Sequence, residues 1–369
     1  MASLTTLKQA GQSLWLDYID RDLIENGGLK QLVDSGLGGV TSNPTIFYKA
    51  IAQRDDYDGA IRELIQADPE IDAAHLYHWL TLQDIQHAAD QLRGVYDATQ
   101  GCDGFVSIEV SPHLAYDAAG TVEAARHLWA AVHRPNVMIK VPGTQPGLAA
   151  IQQLLGEGLN VNITLLFSVQ RYREVLEAFQ RGVSVHPEPG RVASVASFFV
   201  SRVDQKVDAR LDAIGTPEAK RLKGKAALAN ARLAYEVFKT ATSVSPFTEQ
   251  RARGAQYQRP LWASTSSKNP EYADLIYVDQ LVAPHTVNTV PPATLDAFTD
   301  HGEVHPFGDE AIAEAHATVQ ALNRLGIDLE AVAEELEREG VDAFNKSYDD
   351  LITLLDQKRV TVTRDFAAG

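Results

Sequence analysis

The stretch NVMIKVPGTQPGLAAIQQLLGEGLNVNITLLF (residues 136–167) holds a β-branched run, a turn, a helical pattern and a second β-branched run. Val137, Ile139 and Val141 recur with the period of two that a strand imposes, as do Val161, Ile163 and Leu165. Between them, 146–156 carries apolar residues at helical spacing. Strand, helix and strand in this order imply two parallel strands joined by a right-handed crossover.

Working outward, the same alternation predicts strands at 14–19, 38–43, 104–110, 136–142, 160–167, 191–199, 259–265 and 286–291. Helices are predicted at 26–35, 56–99, 121–133, 146–156, 168–181, 200–213, 217–241 and 270–275. A C-terminal set follows at 292–298, 308–325, 328–339 and 341–357. Eight strands in strict alternation suggest an α/β chain closed into a (β/α)8 TIM barrel rather than an open doubly wound sheet. No glycine-rich phosphate fingerprint follows the first strand; GGLKQLVDSGLGG (27–39) reads as helix caps and turns. The excess over a minimal barrel falls in 44–103 and 292–369 and reads as extra helices packed on the outside of one domain spanning 1–369. No internal repeat is present.

Lys+Arg of 33 against Asp+Glu of 49 leaves the 369 residues with a net charge of −16. So acidic a surface argues against nucleic-acid binding or attraction to anionic membrane. The 45% hydrophobic and 22% charged content is that of a globular protein. A single cysteine, Cys102, excludes an internal disulfide framework and cysteine-based zinc or iron–sulfur sites. The start MASLTTLKQAGQSLWLDYID lacks a basic segment followed by an apolar one, and no run of ~18 apolar residues occurs, so a cytoplasmic protein is expected. If it handles anions, it must do so with a few locally placed cations.

The strands are not continuously apolar, as strands buried on both faces would be. Lys140 lies on the parity opposite Val137, Ile139 and Val141. By the same alternation Asn160, Asn162 and Thr164 point inward, as do Ser107 and Glu109, Asp17, and Thr41 with Asn43. Five strands thus send polar groups into one interior near their C-terminal ends, where barrel active sites are built. One such residue alone reads as a satisfied structural group; a lysine, two carboxylates, asparagines and threonines together do not.

Lys140 carries the most information. At the end of an apolar strand, desolvation disfavours an ammonium. A neutral amine can attack a ketone, form a Schiff base and draw electrons during carbon–carbon cleavage. Asp17 and Glu109 are the candidates for moving protons, and Asn43, Asn162, Thr164 and Ser197 suit a polyol chain. The plain alternative for Lys140 is an inert salt bridge to Glu109 or Asp17.

GGVTSNPTIF (38–47), VSIEVSP (106–112), NVMIKVPGT (136–144), NVNITLLFS (160–168), ASFFVSRVD (196–204), LWASTSSKNP (261–270) and VNTVPPATLDAF (287–298) follow one another along the chain. In these motifs and their order the sequence resembles the transaldolase family, the Schiff-base enzymes of the pentose phosphate pathway. The resemblance implies Lys140 as the Schiff-base lysine and Asp17 as acid/base at the substrate hydroxyl. It implies that Glu109 acts through a water held with Thr164. Asn43 and Asn162 would bind the dihydroxyacetone part, with Ser197 beside them, and Phe199 would keep water from the intermediate. Arg202 matches the family's phosphate-binding arginine. Lys268 stands where many members carry a second arginine and offers a point charge without bidentate geometry, with Ser264 and Ser266 as further donors.

The implied reaction moves a three-carbon unit from sedoheptulose 7-phosphate to glyceraldehyde 3-phosphate, giving erythrose 4-phosphate and fructose 6-phosphate. It requires neither metal nor organic cofactor, and its partners are phosphorylated sugars, with no nucleic acid and no membrane. A class I aldolase acting on fructose 6-phosphate would use the same lysine; Phe199 favours transfer over hydrolytic release. A non-catalytic sugar-phosphate-binding barrel would be expected to lack the lysine or the carboxylates. Asp17, Asp20 and Asp22 lack the glycine and glutamate of a calcium loop, and His75, His78, His87, His301 and His305 lack metal-ligand spacing. The acidic run 330–340 reads as the solvated face of a helix, and Trp15, Trp79, Trp129 and Trp262 form no array for stacking bases. Oligomeric state is left open.

Overall fold

The computed structural model describes residues 3–368. Eight parallel strands close into a barrel in sequence order: β1 Gln12–Leu16, β2 Gly39–Val40, β3 Phe105–Glu109, β4 Val137–Pro142, β5 Val161–Leu166, β6 Ser194–Phe199, β7 Gln258–Ala263 and β8 Thr286–Val290. All eight predicted strands are present, and β1 closes on β8 from Gln12↔Thr286 to Leu16↔Val290. Among the described residues no helix is long and apolar enough to cross a membrane.

Register sets the level of the polar groups. Glu109, Lys140 and Asn162 are Cα partners across β3, β4 and β5. Thr164 lies one layer nearer the C-terminal mouth. Asp17 follows the last residue of β1, its N–H donating to Val290 O at 2.8 Å. Asn160 shares the inward parity but sits at the other end of β5. Its amide donates to Pro135 O and Val137 O at 2.9 and 3.0 Å and accepts from Ala193 N, tying three strand starts together.

Below the polar layer the barrel is filled. Trp15, on the inward parity of β1, lies 6.3 Å from Phe105 and donates from Nε1 to Asp103 Oδ1 at 2.8 Å. A Cβ at Gly39 would come within 2.6 Å of that indole, so β2 needs glycine there. Arg259 covers the ring at 5.7 Å and pairs with Asp103 at 3.3 Å. The lower barrel is thus a packed core, and open space remains at the strands' C-terminal ends.

The helices differ from expectation at particular places. The extra helices expected in 44–103 begin earlier than the span predicted from 56: a helix runs Pro44–Gln53, with Asn43 as N-cap accepting from Ile46 N at 3.0 Å and Pro44 at its first position. The span predicted as one helix over 56–99 is two, Asp58–Ala67 and Ala73–Ala98. The span predicted over 26–35 holds the helix Gly28–Asp34, and a separate short helix, Arg21–Glu25, precedes it, with Gly27 at φ 83° between the two. Residues 270–275 form turns rather than a helix, which follows only at Ile276–Asp279. The two helices predicted over 328–339 and 341–357 are one 40-residue helix, Leu329–Ala368. Gly340 does not break it. That glycine lies where the helix presses on the end of β5: an added Cβ would be 2.9 Å from Leu165 Cδ2.

Candidate active site

A cavity of about 450 Å³ opens at the C-terminal mouth, lined by Asp17, Asn43, Lys140, Thr164, Ser197, Phe199, Arg202, Ser264, Ser266 and Lys268. Of the residues given a catalytic or binding role from sequence, Glu109 and Asn162 do not line it. Both lie directly beneath.

Lys140 is 4% exposed at the cavity base, its Nζ donating to Ser42 O at 3.1 Å and to Glu109 Oε2 at 3.2 Å. The salt bridge named as the plain alternative therefore forms. Glu109 Oε1, however, is buried without a hydrogen-bond partner among the described residues, and so is Thr164 Oγ1. Burial pushes the Glu109 carboxyl above its ordinary range, against the opposing charge of Lys140, while Asp17 pushes it further up.

Asp17 is raised in the same sense: burial outweighs Lys140, the Thr41 hydrogen bond and the more distant Lys268. Thr41 Oγ1 donates to Asp17 Oδ1 at 2.7 Å and pairs with Thr289 Oγ1 at 2.7 Å, which fixes the carboxylate's orientation. The segment after β1 is tied down by Arg54, which pairs with Asp20 and Asp22 at 3.1 and 2.7 Å and with Asp56 at 2.6 Å. Asp20 also accepts from Tyr18, whose phenol burial and that carboxylate push up to about 12. Two of the aspartates considered for calcium, Asp20 and Asp22, are thus held by an arginine, while Asp17 faces the cavity.

Asn162 is wholly buried, donating to Ser107 Oγ at 3.0 Å and accepting from Ser197 Oγ at 2.6 Å. It holds Ser197 in place under the cavity. Asn43 spends its carbonyl oxygen on the helix cap, leaving its amide N–H groups at the cavity.

Cations gather at the mouth. Arg202 lies 5.6 Å from the centre of the Phe199 ring, and Lys268 Nζ donates to Ser266 Oγ at 2.6 Å. Lys49, from the helix Pro44–Gln53, joins them. Burial lowers the Arg202 guanidinium from its ordinary value; burial, then Arg202 and Lys49, lowers the Lys268 ammonium. None of the three has a carboxylate partner within ion-pair distance among the described residues. Ser264 sets the spacing: it turns the chain after β7 at φ 54°, accepts from Ser201 N at 3.0 Å, and lies 3.1 Å from Ser201 Oγ. A non-glycine residue in that region is strained, and the two bonds hold it there, beside the residue that precedes Arg202.

Sequence reasoning missed Tyr18, Thr45, Lys49, Thr265, Thr289 and Phe344, all of which line the cavity. Asn43–Pro44 was a readable helix start that would have placed Lys49 on a helix leaving the mouth. Phe344 carried no local signal.

Fold and site define a (β/α)8 barrel with a lysine–carboxylate centre at its base and a cationic mouth. The model of the transaldolase/fructose-6-phosphate aldolase family matches residues 14–355. The chain is 49% identical to a transaldolase of Frankia alni, covering 96% of this chain and 97% of that one. It is 48% identical to a transaldolase of Thermobifida fusca over 96% and 98%, and 47% identical to transaldolase 1 of Streptomyces coelicolor over 97% and 96%. The chain belongs to the transaldolase/fructose-6-phosphate aldolase family.

Proposed function

We propose that this chain is a transaldolase that moves a dihydroxyacetone unit from sedoheptulose 7-phosphate to glyceraldehyde 3-phosphate through a Schiff base on Lys140. The observation that carries the reading is the buried Lys140–Glu109 pair at the base of a cavity whose mouth gathers Arg202, Lys268 and Lys49. The protein acts as a single-domain cytoplasmic enzyme, since its substrates are cytoplasmic sugar phosphates.

Lys140 attacks the donor's C2 carbonyl as the free amine. Glu109, whose buried carboxyl favours the protonated form, holds the proton that the lysine sheds. The otherwise unpartnered Glu109 Oε1 and Thr164 Oγ1 suit a water that relays protons as the carbinolamine loses its hydroxyl. Asp17 then takes the proton from the C4 hydroxyl, the C3–C4 bond breaks, and its electrons pass into the iminium to give an enamine. Burial favours protonated Asp17, which strengthens it as the base for that step; the proton goes back to the new alkoxide when the enamine attacks the acceptor aldehyde. The Asn43 amide and Ser197 hydroxyl grip the dihydroxyacetone hydroxyls, with Asn162 holding Ser197. Arg202 and Lys268, with Ser264 and Ser266, take the phosphate, and Lys49 joins them.

Borohydride trapping with fructose 6-phosphate, followed by peptide mass mapping, tests this reading. A reduced adduct on Lys140 is expected; an adduct elsewhere, or none, overturns it. Product formation that needs no aldose phosphate acceptor would assign an aldolase instead. A rate that falls with a chelator would point to metal-dependent chemistry.

A further inference from the structure

We propose that Phe344, carried over the barrel mouth by the C-terminal helix Leu329–Ala368, is a positioning residue that keeps water from the covalent intermediate on Lys140. The inference rests on the lysine chemistry above and adds to it a residue from an element outside the barrel.

Phe344 is 5% exposed, lines the cavity, and its ring centre lies 5.7 Å from Lys140 Nζ. A ring face presented to a nitrogen at that range favours a positive charge there and offers neither nucleophile nor base. The iminium forms on that same nitrogen. After C3–C4 cleavage, protonation of the enamine carbon restores an iminium; water adding across its C=N bond, with cleavage of the C–N bond, then releases dihydroxyacetone and restores the amine. The unit is then lost before an acceptor arrives. Phe199, stacked on Phe167 at 5.1 Å, supplies aromatic cover from β6. Phe344 supplies it from the C-terminal helix.

The helix is fastened on both sides of this residue. Before it, Arg210 pairs with Glu335 at 2.6 Å, and Gly340 permits close approach to Leu165 at the end of β5. After it, Thr45 donates to Ser347 at 2.8 Å, His113 Nε2 meets Asp349 at 2.8 Å, and Lys358 pairs with Asp58 at 2.5 Å. Gly340, Phe344, Ser347 and Leu351 fall at helical spacing on one face. These anchors reach the helices after β2 and β6, so the ring is held in register with the site.

The test is the ratio of free dihydroxyacetone released to unit transferred, per site titrated by borohydride trapping, for wild type, Phe344→Ala and Phe344→Leu. Phe344→Ala is expected to raise the ratio about fivefold or more, and Phe344→Leu to return it to within about twofold of wild type. Loss of folded protein alone lowers both rates together and leaves the ratio unmoved. If Phe344→Ala does not fold, Phe344→Ser and Phe344→Val provide the graded series. An unchanged ratio with normal trapping at Lys140 overturns this inference alone. Failure of the wild type to trap at Lys140 overturns the chemistry on which it rests.

Discussion

Replacing Arg202 by Met keeps an unbranched stem and removes the guanidinium that lies over the Phe199 ring, with its charge. The guanidinium is partly buried, has no carboxylate partner among the described residues, and stands with Lys268 and Lys49 in a chain of net charge −16. Its electrostatic interaction is therefore free for an anionic substrate. A charge-assisted hydrogen bond contributes about 1.5–3 kcal/mol, and a fork geometry supplies two to a phosphate. Taking the lower figure for each, with Lys268 and Lys49 still present, the loss is about 3 kcal/mol, or ~10²-fold in kcat/KM. The assay is steady-state transfer with phosphorylated acceptors beside the corresponding unphosphorylated aldehydes. Arg202→Met should raise KM for the phosphorylated acceptors by ~10²-fold while changing kcat/KM for the unphosphorylated ones by less than about threefold. Equal effects on both would show that Arg202 supports the fold of the mouth and does not read the phosphate.

Lys49→Gln should act in the same direction but only about two- to fivefold, because an exposed lysine contributes little in water, and the same acceptor comparison checks it. Asn43→Ser should keep the helix cap and hold the melting temperature near wild type while raising KM for the donor; Asn43→Ala should lower both stability, by about 1 kcal/mol, and activity. The raised Asp17 carboxyl binds its proton more tightly folded than unfolded, so ionising it removes stability as pH rises from its ordinary range through its folded one. Asp17→Asn should accordingly raise the melting temperature at pH 8, less so at pH 5, and abolish transfer; thermal melts at the two pH values decide it. Thr164→Val and Glu109→Gln should each slow Schiff-base formation, with a double mutant slower by much less than the product of the two effects, because both atoms serve one proton relay.

The barrel was legible because parallel strands and crossover helices impose two different periods, and 136–167 displays both in full. Lys140, Glu109 and Asp17 were legible for a related reason: a charged residue on the inward parity of an apolar strand breaks a pattern. Asn160 breaks it too, yet lies at the strand's other end, because parity reports which face a residue takes and not its height in the barrel. The helix Pro44–Gln53 was concealed by reading Asn43 as the last residue of a strand, although β2 ends at Val40 and the asparagine caps the helix that begins at Pro44. Gly340 misled in the opposite way. Local propensity marks it as an interruption, whereas tertiary contact with Leu165 makes the missing side chain the condition for an unbroken helix. Phe344 could not be read at all, since nothing local distinguishes an aromatic that packs on its own helix layer from one that spans the mouth.

The placement of charge along the cavity also decides how a sugar phosphate enters. At the base, one ammonium faces two carboxyls, and burial inclines both toward the protonated form. At the mouth, burial and then the charges of Arg202 and Lys49 lower Lys268, and a phosphate dianion relieves the repulsive part. A molecule with a ketone at one end and a phosphate at the other meets a neutral-to-acidic floor and a cationic rim, so only one orientation satisfies both ends. The acidic remainder of the surface sharpens this preference, because it leaves the rim as the place where an anion gains by approaching. On the proposed chemistry, orientation precedes the covalent step: the phosphate is held before C2 reaches Lys140, and the carbon chain between them is drawn past Asp17. An unphosphorylated ketose loses that guidance and should show its deficit in KM for the donor, with the trapped adduct still on Lys140.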